Sequence, residues 1–241
     1  MKFAFRGIFS VAMLSAVAIA LAPSVSAQLP PPGFIFELDT VHPGVLSTYT
    51  QFTTSFVGDG NTEFVSFAFR EVPAFFAFDD AVVSTGGGPN LLADPGFESA
   101  SFGQNCNHNN ALGCPPGWSA WIQPIDVSAI GQVAVNGNTY GCNVNAHSGT
   151  AFWCDGSVEG YDAIYQGIAT TLGATYNISF WLQDDSGSAM NNPAIDMFVY
   201  AGDHIPVGTV NIGTPEPATL TLIGGGLLAL GLISRRRKTV K

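Results

Sequence analysis

The sequence predicts an all-β chain whose exported part folds as a single β-sandwich. Three observations carry this reading. Apolar and polar residues alternate with period two in several runs; clusters of Gly, Asn and Pro break those runs at short intervals; and no long amphipathic helical repeat occurs between the two ends. Roughly 190 residues remain between the terminal segments, enough for one well-buried domain and short for two complete ones.

The chain starts with a basic pair, Lys2 and Arg6, followed by an apolar core from Gly7 to Ala22 and the small-residue site Val25-Ser26-Ala27. This is the pattern of a secretory signal helix over residues 1–27, cleaved after Ala27. Residues 28–33 follow as a leader in which Pro30, Pro31 and Pro32 fix φ and forbid helix. The sandwich is expected over 34–213. Its first strands read from Tyr49, where Thr50, Phe52, Thr54 and Phe56 alternate with Gln51, Thr53 and Ser55. After the turn Gly58-Asp59-Gly60-Asn61, Val65, Phe67 and Phe69 share one face opposite Phe64, Ser66, Ala68 and Arg70, which together give a hairpin signal. Past Pro73, Phe75 to Val83 reads as a third strand carrying Asp79 and Asp80, and Gly86-Gly87-Gly88-Pro89 forms a flexible join. Gly103 to Gly117 is rich in Asn, Gly and Pro and reads as an irregular surface loop. Tyr176, Ile178, Phe180 and Leu182 then form a core face, with Asn177, Ser179 and Trp181 opposite, and Ile195 to Tyr200 is the last clear strand.

The C-terminal segment 214–241 has three parts: Pro215-Glu216-Pro217, an apolar run from Ala218 to Ile233, and the cluster Arg235, Arg236, Arg237, Lys238. As a helix the apolar run would span about 24 Å against roughly 30 Å of hydrocarbon, and three central glycines weaken it. That suits a temporary transmembrane helix with its arginines held on the cytoplasmic side; a plain membrane anchor is the alternative. The arrangement closely resembles the PEP-CTERM sorting signal of Gram-negative bacteria. The resemblance implies cleavage at Pro215, Glu216 and Pro217 by an exosortase-type membrane protease, then release to the cell surface or the extracellular matrix.

Charge narrows the partners. Seven of the eight basic residues lie in the two terminal segments, leaving Arg70 against seventeen acids. Such a surface repels phosphate backbones, which argues against nucleic acid, and attracts divalent cations. All four cysteines, Cys106, Cys114, Cys142 and Cys154, lie in the exported part, and an even count in an oxidising compartment predicts two disulfides. Three connectivities are open; the two short loops favour Cys106 with Cys114 and Cys142 with Cys154. A metal site joining these cysteines to His108 and His147 is the rival, without a strong zinc-ligand spacing behind it.

The run NLLADPGFE at Asn90 to Glu98, the pair Gly117-Trp118, HSGTAFW at His147 to Trp153 and YQGIATTLGATYNISFWL at Tyr165 to Leu182 resemble the galactose-binding-like jelly rolls of carbohydrate-binding modules. In that family a segment similar to Tyr49–Ser84 closes the domain; here it precedes the opening one. That order leaves either two partial domains or one circularly permuted jelly roll; two half sandwiches would each expose an apolar face, which favours the permuted single domain, with closing strands in 34–85, a join at 86–89 and opening strands in 90–213. It also implies a structural calcium where Glu98 approaches Asp79 and Asp80, oxygen ligands of the kind calcium takes.

No GxSxG, HExxH or P-loop is present, so no catalytic residue is assigned. Asp184-Asp185 sits in a Gly/Ser-rich turn and reads as a solvated pair, and Arg70 reads as the partner of a local acid. Trp121, Trp153, Tyr161, Tyr165 and Trp181 are the candidates for a flat surface on which sugar rings stack, with Trp118 left in the core. The expected function is a non-catalytic surface or matrix protein that binds an extracellular polysaccharide. A purely structural matrix component and a secreted polysaccharide hydrolase are the alternatives.

Overall fold

In the computed structural model the described residues are 29–106, 113–123, 131–158, 160–184, 186 and 195–206. The expected signal helix at 1–27 and the tail at 214–241, with the transmembrane helix expected there, lie outside them. The order of elements is β1 Phe34–Glu37, α1 Leu38–Val41, β2 Thr50–Val57, β3 Thr62–Glu71, β4 Phe76–Thr85, β5 Ser119–Ile122, β6 Gln132–Val135, β7 Ala151–Asp155, β8 Asp162–Ala169, β9 Thr175–Asp184 and β10 Ile195–Gly202. Two five-stranded antiparallel sheets result, ordered β1-β10-β3-β8-β5 and β2-β9-β4-β7-β6. This is an all-β sandwich. Among the described residues no helix is long and apolar enough to cross a membrane.

Alternation explains which side of each strand turns inward. From β2, Phe52 and Phe56 enter the core; from β3, Val65, Phe67 and Phe69; from β4, Phe76, Phe78 and Val83; from β9, Tyr176, Ile178, Phe180 and Leu182. Phe180 is the hub, its ring centroid 5.5 Å from Phe36, 5.8 Å from Phe52, 5.6 Å from Phe67 and 5.7 Å from Phe78. These centroid distances are typical of tilted and edge-on aromatic pairs, which add modestly to the area term. Trp118 closes the opposite side of the core, stacked on Phe97 at 5.4 Å, with its indole N–H donated to the Asp94 carbonyl.

The expected β2–β3 hairpin does not form. β2 pairs with β9 throughout, from Thr50 opposite Leu182 to Val57 opposite Thr175, whereas β3 lies between β10 and β8 in the other sheet. Both strands carry large apolar faces. Placed in opposite sheets those faces meet across the core, whereas paired side by side they would not bury each other. The turn at Gly58–Asn61 is therefore a connection between sheets, pinned by Glu63 Oε1 accepting Asp59 N–H and by Thr170 Oγ1 accepting Gly60 N–H.

Segments 34–85 and 90–202 interleave in this sandwich. β4 pairs with β9 from Phe76 opposite Asp184 to Thr85 opposite Tyr176, with a bulge between Asp79 and Val82. After the join, where Gly86 and Gly87 hold φ of 58° and 73°, the chain folds back along β4. Leu91 N–H donates to Val83 O, Asn90 bonds both Val83 N and Ala81 O, and Ala81 N–H donates to Pro95 O. Two disulfides tie the later half, Cys106–Cys114 and Cys142–Cys154.

Phe180→Ala should lower the unfolding free energy by about 3–5 kcal/mol, measured by urea denaturation. A loss below about 1 kcal/mol would mean that the ring does not bridge the two sheets.

Candidate functional site

The bulge in β4, the central strand of the second sheet, places its two aspartates just past Phe78, where the pairing with β7 has ended. Asp80 takes a left-handed φ of 49°, which short polar side chains tolerate, and this turns both carboxylates toward the loop 147–151. Asp79 is fully buried. Its Oδ2 accepts the N–H groups of His147 at 2.9 Å and Ser148 at 3.2 Å, and its Oδ1 accepts Asp80 N–H at 2.8 Å. Asp80 accepts the Ser148 hydroxyl at 2.8 Å and lies 2.7 Å from His147 Nδ1. Glu98 holds the other end of the loop, accepting Thr150 N–H at 2.7 Å, Ala151 N–H at 2.9 Å and the Thr150 hydroxyl at 3.0 Å. A Cβ on Gly149 would stand 2.2 Å from Glu98 Oε1, so the clamp needs glycine there.

Electrostatics follow from this geometry. Burial, reinforced by the neighbouring charge of Asp80, pushes the Asp79 carboxyl up to about 7 despite its three hydrogen bonds. For Glu98 burial also opposes ionisation, but the Ala151 and Thr150 donors outweigh it and hold the carboxyl below its ordinary range. Asp79 and Asp80 thus bind the start of one loop and Glu98 its end. The donor set is chemically suited to calcium, while each carboxylate here is directed at N–H and O–H groups of that loop.

The five candidate aromatics do not form one surface. Trp153 is wholly buried, its strand AFWCD being shielded on both faces, and its indole N–H donates to Asp155 Oδ2 at 2.8 Å. Tyr161 is also buried, with the Arg70 guanidinium 6.0 Å from its ring centre. Trp121 and Tyr165 lie half-buried on the outer side of the first sheet, and Trp181 lies on the outer side of the second. His147 covers one face of Trp181, its ring parallel at 3.9 Å. Nor is Asp184 solvated: it is buried and accepts both Ser186 N–H and the Ser186 hydroxyl. Asp185 lies outside the described residues, as do His108 and the tail's Pro215, Glu216 and Pro217.

Beside Trp181 runs a cleft of about 510 Å³ lined by Gln51, Thr53, Thr54 and Ser55 of β2, Val82 and Ser84 of β4, and Asn177, Ile178 and Ser179 of β9. The register builds it in rows, Ser55–Asn177–Ser84 and Thr53–Ser179–Val82, with Gln51 opposite Trp181 at one end. No charged side chain lines it. The sequence marked Asn177 and Ser179 as outward-facing but gave no sign that β2 would lie alongside. A second missed feature is Glu37, Asp39 and Asp196, whose carboxylate oxygens all lie within 4.8 Å of one another. Its signal was an acid inside the apolar strand Ile195–Tyr200. Asp196 already accepts Asp39 and Met197 N–H groups, and nothing further points to a ligand there.

Residues 214–238 match the PEP-CTERM protein-sorting motif. The match covers the tail alone. It supports an exported chain processed by exosortase, a membrane protein, after transient residence in the membrane and on the way to the surface or the outside. No curated protein and no solved structure matches the chain.

Glu98→Ala should release the 147–151 loop. Hydrogen exchange at the Thr150 and Ala151 amides should rise at least tenfold, with a stability loss of about 1–3 kcal/mol. Unchanged exchange would show that the loop is held by Asp79 and Asp80 alone.

Proposed function

We propose that the exported domain is a non-catalytic, glycan-binding module of the cell surface or extracellular matrix, and that its ligand lies in the cleft of the second sheet. The observation that carries this reading is the lining of that cleft. Hydroxyls of Thr53, Ser55, Ser84 and Ser179 and the amides of Gln51 and Asn177 offer both donors and acceptors on a preformed sheet, which matches the chemistry of a sugar. With no charge in the cleft and an acid excess around it, a neutral polysaccharide is favoured over an anionic one. Trp181, backed by His147, lies just beyond that lining, opposite Gln51 at the end of the rows.

The interleaved segments are what a permuted galactose-binding-like jelly roll would produce, and we extend the proposal to that ancestry. Calcium at Asp79, Asp80 and Glu98 belongs to the same reading. It is favoured by three carboxylates held round one five-residue loop and by the near absence of competing cations in the exported part. Excess calcium should raise the melting temperature of the EDTA-treated protein, and no shift in either direction would remove calcium from the account.

Two experiments test the main reading. Affinity electrophoresis in gels cast with neutral polysaccharides should retard the protein, and Asn177→Ala with Ser179→Ala should weaken retardation at least fivefold; no retardation by any neutral glycan would favour a purely structural role. Replacing Pro215, Glu216 and Pro217 by alanine should retain the full-length protein in the membrane fraction. Equal release of variant and unchanged protein would refute sorting through that motif.

A further inference from the structure

The outer side of the first sheet departs from the usual solvated face of a sandwich. Register aligns Phe198 of β10, Ala68 of β3, Ala163 of β8 and Trp121 of β5 in one row, and Tyr200, Ser66, Tyr165 and Ser119 in the next. The small residues at the centre, Ser66, Ala68 and Ala163, are buried, and the large rings lean in over them until Trp121 and Tyr200 are 6.1 Å apart. Phe198, Tyr161 and Phe34 extend this surface, with Phe198 centred 5.3 Å from Tyr161 and 4.8 Å from Phe34.

What covers it is the leader. Pro31 is buried there, and its carbonyl accepts the Tyr200 hydroxyl at 2.9 Å. Two residues earlier the Leu29 carbonyl accepts Gln123 Nε2 at 3.0 Å. Gln123 is itself buried, and its amide is fixed from behind because its Oε1 accepts Tyr161 N–H at 2.8 Å while its own N–H donates to Tyr161 O. Burial holds the Tyr200 phenol far above its ordinary range, so it stays a donor. A third donor, Trp121 Nε1, is buried on the same surface with no partner among the described residues.

This combination selects for proline. Leu29, Pro30 and Pro31 each precede a proline, which keeps them extended, and carbonyls two residues apart on such a strand stand about 6 Å apart. A proline also brings no N–H, so burying it on aromatic rings leaves only the carbonyl to be satisfied. Donors without acceptors, set in an aromatic surface, are the complement of that backbone.

We infer that this face is a recognition site for an extended proline-rich strand, occupied in cis by the chain's own leader Leu29–Pro32. The leader crosses the sheet from the Gln123 side to Tyr200, passes Gly33, whose φ is 93° with open space around it, and enters β1 at the far edge. It is a tethered ligand rather than a spacer. The inference is independent of the glycan cleft, which lies on the other sheet.

The test uses the exported chain with Pro30→Gly, Pro31→Gly and Pro32→Gly combined, which leaves the receptor surface untouched and frees it of its ligand. A blocked peptide copying Leu29–Gly33, titrated while the Trp121 indole N–H resonance is followed, should bind this variant at least tenfold more tightly than the unchanged protein. Equal affinity for the two, or binding to neither with circular dichroism unchanged, would overturn the inference. Adding Tyr200→Phe should weaken the peptide at least threefold, and an alanine version of the peptide should not compete. Unchanged binding in the first case or full competition in the second would equally refute recognition of a proline backbone.

Discussion

The pairing of β4 with β9 is the constraint on which the rest depends. It joins residues about a hundred positions apart in sequence, so its closure entropy is met only when the core forms at the same time. Phe78 and Phe180 are brought to 5.7 Å by it, and through Phe180 the rings of Phe36, Phe52 and Phe67 are gathered from both sheets. The outward residues of the same two strands, Ser84 with Asn177 and Val82 with Ser179, become two of the three columns of the cleft. Where the ladder shifts at the bulge, Asp79 and Asp80 leave the regular alternation and reach the loop 147–151. Core, cleft and the acid-held loop 147–151 are thus consequences of one register.

Strand positions were legible because period-two alternation is a local property. Partners were not. Phe52 and Phe56, then Val65, Phe67 and Phe69, announce two half-buried strands on either side of a Gly-Asp-Gly-Asn turn, and that pattern is compatible both with a hairpin and with a crossing between sheets. The choice is made by where the two apolar faces can be buried, which depends on β9 and β10, more than a hundred residues later. The same limit explains Trp153. A single strand cannot disclose that both of its faces will be covered, and AFWCD, with Cys154 bound in a disulfide and Asp155 accepting the indole N–H, is shielded on both.

Glu98 and the pair Asp79-Asp80 act on one five-residue loop, Asp79 and Glu98 through its backbone N–H groups and Asp80 through the Ser148 hydroxyl and the His147 ring. What the sequence concealed was the sorting of acids by burial. Glu63, Glu71, Asp79, Asp155, Asp162, Asp184 and Asp196 are buried, so the strong acid excess is not simply a solvated coat. Buried carboxylates need donors, and in this chain many of those donors are backbone N–H groups of irregular segments. The loops are ordered by acids that the sequence alone would assign to the surface.

The two outer faces of the sandwich differ for a reason rooted in residue size. On β2, β4 and β9 the outward positions are mid-sized polar groups, Thr53, Ser55, Ser84, Asn177 and Ser179, which neither bury themselves nor exclude water, and the face stays open as a cleft. On β3 and β8 the central outward positions are Ser66, Ala68 and Ala163, so small that the rings around them fall inward over them and present a continuous apolar surface. Such a surface on an exported protein must be covered or it will associate. A strand with N–H groups would cover it poorly, since each N–H would need an acceptor that aromatic rings do not offer. The three prolines immediately before β1 solve this locally, because the leader must cross that edge in any case and brings only carbonyls to a surface already furnished with Gln123 and Tyr200. The composition of the leader is therefore set by the sheet beneath it, as the composition of the cleft is set by what it leaves exposed.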